Sequence, residues 1–101
     1  MKLLIVTCLK EYLPVIARIF KEANIEVFNT SKITGYGDSV SENLLEEWFA
    51  SSGGEVDSMM IFTYTQTANA EKGLELINDH NKTIRENFPV RAFIMPIEKA
   101  V

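Results

Sequence analysis

The sequence predicts one α+β domain with its elements in the order β-α-β-β-α-β. Three observations predict it. The chain opens on an apolar run from Leu3 to Leu9. Two later stretches repeat apolar residues at spacings of three and four, the period of an amphipathic helix. Three further short stretches are rich in strand-forming residues and are bounded by turn or breaker residues. This order is the split pattern of a ferredoxin-like sandwich, with both helices on one face of the sheet. The 101 residues suffice for a single domain spanning 1–101.

Strand one is expected over Lys2–Leu9, apolar from Leu3 except at Thr7, as suits a central strand. Helix one is expected over Glu11–Ala23, where Tyr12, Val15, Ile16, Ile19, Phe20 and Ala23 form one face. Pro14 stands near its start, where a missing N–H costs least, and Asn24 is its stop. Strand two is expected from Ile25 to Lys32 or Thr34, with imperfect alternation. Strand three falls within Glu55–Thr65. There Met59, Ile61 and Thr63 face one way and Met60, Phe62 and Tyr64 the other. The second helix begins at Ala68 or Asn69, with Asn69 as its N-cap, and runs to about Asn87. Its stripe is Ala70, Leu74, Ile77, Asn81, Ile84 and Phe88, and Pro89 ends it. Strand four is Val90–Met95, stopped by Pro96. Strand three is apolar on both sides, so a sheet covered on both faces, and hence an oligomer, is expected.

Composition narrows the function classes. Hydrophobic residues make up 47% and charged residues 24%, ordinary for a globular protein. A net charge of -4 with no dense basic patch argues against a nucleic-acid surface and against an anionic membrane surface. No run reaches the roughly 18 apolar residues of a membrane span, so direct membrane insertion is not expected. MKLLIVTCLK lacks a small-residue cleavage site, and Glu11 follows at once. The single cysteine, Cys8, cannot form an internal disulfide. It reads as a buried structural thiol in a reducing, cytoplasmic setting.

The connection between strands two and three, residues 38–54, is long for a hairpin. Ser41 is placed to cap a short helix with Leu44, Leu45, Trp48 and Phe49 on one face. That face either packs on its own body or a neighbouring subunit, or docks on a partner. Gly35 and Gly37 flank Tyr36 before it, and glycine backbone permits close approach to an anion.

Two segments carry a wider likeness. EANIEVFNTSKITGYG follows helix one where a "G-I-x-x-x-T-x-x-x-x-G-x-G" pattern is found, and RAFIMPIEKAV matches "F-V-x-P-V-E-x-A". Over nearly its whole length the chain resembles the PII signal-transduction family, trimeric ferredoxin-like regulators, many of which bind adenine nucleotides between subunits. The resemblance implies a homotrimer that binds an adenine nucleotide or another small anionic metabolite. It makes residues 38–54 a T-loop-like segment that contacts a target such as a transporter or metabolic enzyme. It puts Gly35 and Gly37 at the base of that loop and Arg91 at the position of a lysine opening the last strand. The family's phosphate-binding "T-G-x-x-G-D-G-K" has no glycine counterpart here, where the chain reads IRENFPVR. Arg85 and Arg91 are the groups in that region able to meet phosphate or carboxylate. Family members also often continue past the last segment with nucleotide-reaching arginines, whereas this sequence stops at Val101.

Catalytic patterns are missing from the sequence. His80 is the only histidine, and its helical neighbours one turn away, Leu76 and Ile84, are apolar. No Ser-His-Asp or Cys-His arrangement is legible, so an enzyme is not expected. Two other readings stand beside a PII-like regulator. One is a ligand-independent protein-interaction module, which the missing glycine loop favours. The other is a metal-linked trimer resembling the cation-tolerance family, which sparse histidine and cysteine disfavour.

Overall fold

The computed structural model describes residues 1–35, 56–83 and 89–101. Their elements are β1 (Lys2–Leu9), a 3-10 turn (Lys10–Tyr12), α1 (Leu13–Glu22), β2 (Asn29–Gly35), β3 (Val56–Thr65), α2 (Thr67–Thr83) and β4 (Arg91–Pro96). The strands form one four-stranded sheet in the order β2-β3-β1-β4, antiparallel at every pairing. The architecture is α+β, with each helix joining two strands that have a third strand between them.

Where α1 begins follows from Pro14. The carbonyl of Lys10 would take an α-type bond from residue 14, but proline has no N–H to give. Leu13 N–H donates to Lys10 O instead, which makes the first turn 3-10. The helix therefore starts at Leu13, two residues later than Glu11 suggests. At its far end Asn24 adopts φ 60°, the left-handed region that asparagine tolerates better than most residues. Asn24 N–H donates to Lys21 O at 3.1 Å and Ile25 N–H to Phe20 O at 2.8 Å, the paired bonds of a Schellman stop. That stop turns Ile25 into the core rather than into a strand.

β2 starts at Asn29, four residues later than its composition suggests. The cause lies at Val27, whose carbonyl accepts a 2.7 Å hydrogen bond from the Thr63 hydroxyl. A side chain thus uses the backbone group that a longer ladder would need, and Val27 itself is exposed. α2 begins at Thr67, where Gln66 O accepts from Ala70 N–H at 3.0 Å. Asn69 is consequently an interior helical residue and not the N-cap. β4 is Arg91–Pro96, one residue along from the expected span.

The core lies between the sheet and the helices. Leu4, Val6 and Cys8 of β1 meet Met59 and Ile61 of β3 through their register, and Ile16, Ile19 and Phe20 of α1 close over them. From α2 come Ala70, Gly73 and Ile77. Gly73 is buried because the space is taken: a Cβ there would stand 3.3 Å from Leu4 Cδ2. Asn81 anchors β4. Its side-chain amide donates to Val90 O at 2.7 Å, and its Oδ1 accepts from Val90 N–H at 3.0 Å. This two-way bond satisfies both backbone groups of Val90, which is 1% exposed.

The opposite sheet face is also apolar. Ile5 stands between Phe62 on β3 and Phe93 on β4, and Leu3 between Tyr64 and Met95. Tyr64 is 58% and Met95 44% exposed, while Ile5, Phe62 and Phe93 are half-buried. The alternation expected for β3 is thus present, with its two sides meeting different surroundings.

Candidate functional site

The sequence directs attention to the end of the sheet where β1 finishes. β1 and β2 both point toward this end, and β4 departs from near it, because Arg91 pairs with Thr7. Gly35 is the last residue of β2 and pairs with Val56, so residues 36–55 leave and rejoin the sheet here. Arg91 is the first residue of β4 and is half-buried. It borders an open cavity of about 580 Å³ between α2 and β4, whose other polar lining includes Glu71, Glu75, Asn78 and Asn81.

Gly35 and Arg91 stand on opposite edge strands, with β3 and β1 between them. Three interstrand spacings separate them by about 14 Å across the sheet, and the four residues from Val56, opposite Gly35, to Met60, level with Arg91, add an offset of about 13 Å along it. The structure therefore does not bring them into one small pocket, although it sets them at the same end. Gly37, Arg85, Leu44, Leu45, Trp48 and Phe49 lie outside the described residues, as does all of 38–54.

Cys8 is 3% exposed in the core, and burial pushes its thiol up to about 11 from 9.0. The folded chain then holds this proton more tightly than the unfolded chain does. Its contribution to stability is complete below pH 9 and is lost as pH rises through about 11. Urea unfolding of the native protein is expected to show stability falling across that window, with a smaller fall in Cys8→Val. A thiol reagent at pH 8 is expected to label the native protein far more slowly than the unfolded one. Equal labelling rates would contradict a buried, protonated thiol.

His80 is half-buried, with its ring edge-on to Tyr12 at 6.3 Å between centroids. Its buried Nε2 has no hydrogen-bond partner among the described residues, and the contact the structure shows for its ring is the packing against Tyr12. Among the described residues, no group of three or more His, Cys, Asp and Glu side chains is placed to hold a metal ion. No helix among them is long and apolar enough to cross a membrane.

Sequence reading missed a second feature at this end of the sheet. Lys10, Lys32, Thr34 and Ser58 line a cavity of about 220 Å³. The available signal was the alternation of Lys32 and Thr34 on β2, but the approach of Lys10 depends on the 3-10 turn that Pro14 imposes.

No family model matches the sequence, and no curated protein matches it.

Proposed function

We propose that the chain is a PII-like regulator of ferredoxin-like fold, assembled as a homotrimer, that binds an anionic metabolite between subunits and signals through residues 38–54. The observation that carries this reading is the second apolar face of the sheet. The helices cover the side of Leu4, Val6 and Ile61 and leave Ile5, Phe62 and Phe93 for another body to cover. Sister chains are the occupant that the sequence resemblance favours. The strand order β2-β3-β1-β4 supports the ferredoxin-like assignment.

Gly35 and Arg91 of one chain are too far apart for one small anion to touch both. A site between subunits would instead pair Arg91 of one chain with the base of the segment after Gly35 in its neighbour, and an adenine nucleotide has the charge for such a site. Signalling then requires the ligand to bind one arrangement of the segment more tightly than another. A cytoplasmic location and a transporter or metabolic enzyme as target belong to the same proposal.

Calorimetric titration of the intact assembly with AMP, ADP and ATP tests it. Saturable binding is expected, weakened about tenfold or more in Arg91→Ala through loss of a charge-assisted hydrogen bond. An intact oligomer that binds none of the three removes nucleotide sensing and leaves the protein-interaction module as the better reading.

A further inference from the structure

We draw no further inference here: the strongest candidate, the open cavity of about 580 Å³ between α2 and β4, carries nothing, because its Arg91 belongs to the site already described and its remaining charged lining is the acidic pair Glu71 and Glu75, with no second observation that points to a ligand.

Discussion

Phe20→Ala is expected to lower the unfolding free energy by about 3–5 kcal/mol, the range for removing a buried aromatic ring. Phe20 is among the largest fully buried side chains, at 0% exposed. Its ring meets Phe28 edge to face, with centroids 5.3 Å apart and planes at 87°. That contact holds the irregular stretch before β2 against α1, so truncation removes packing on two elements at once. A domain of this size has a total stability of about 5–15 kcal/mol, and the variant is expected to be partly unfolded at modest urea concentrations. Equilibrium urea unfolding measures the effect. A midpoint within error of the wild type would mean that the Phe20 pocket collapses without penalty, contrary to a close-packed core.

If the chain assembles as proposed, Phe62→Asp is expected to convert the trimer into folded monomers. Phe62 lies in the middle of the sheet face away from the helices, opposite Ile5 and 6.4 Å from the Tyr64 ring. In a single chain it is half-buried, so a carboxylate there keeps contact with water and the fold survives. In an oligomer closed over that face, the same carboxylate would be buried without a partner, at a cost of several kcal/mol. Loss of the aromatic anchor adds about 2 kcal/mol or more. Sedimentation analysis of both proteins, with circular dichroism to verify folding, gives the result. A wild type that is monomeric at high concentration defeats the trimer, and the nucleotide site between subunits with it.

Much of the fold was legible because burial and periodicity report the same faces. Ile16, Ile19, Phe20 and Ala23 repeat at helical spacing and all are buried; Met59, Ile61 and Thr63 alternate and all are buried. The misreadings fall where backbone hydrogen bonds, not apolar pattern, decide the boundary. Ile25 has the composition of a strand opening, but the left-handed turn at Asn24 sends it into the core. Asn69 has the chemistry of a cap, yet the helix had already begun at Thr67. Gly73 was invisible as a core residue because hydropathy gives no weight to a position kept empty so that Leu4 can approach.

The candidate site was less legible because its parts are distant in sequence and depend on strand order. The notion of Gly35 and Arg91 as neighbours came from resemblance alone. The sheet places β3 and β1 between them, so within one chain they do not share a pocket. The lysine-lined cavity needed a turn geometry that no local motif announces.

The placement of β1 in the interior of the sheet has a consequence for synthesis. Its two neighbours are residues 58–65 and 91–96, so β1, made before the other three strands, is the last to gain both partners. Until β4 emerges, the nascent chain carries Leu3 to Leu9 with at least one edge unpaired, and an unpaired apolar strand edge is a template for pairing with other chains.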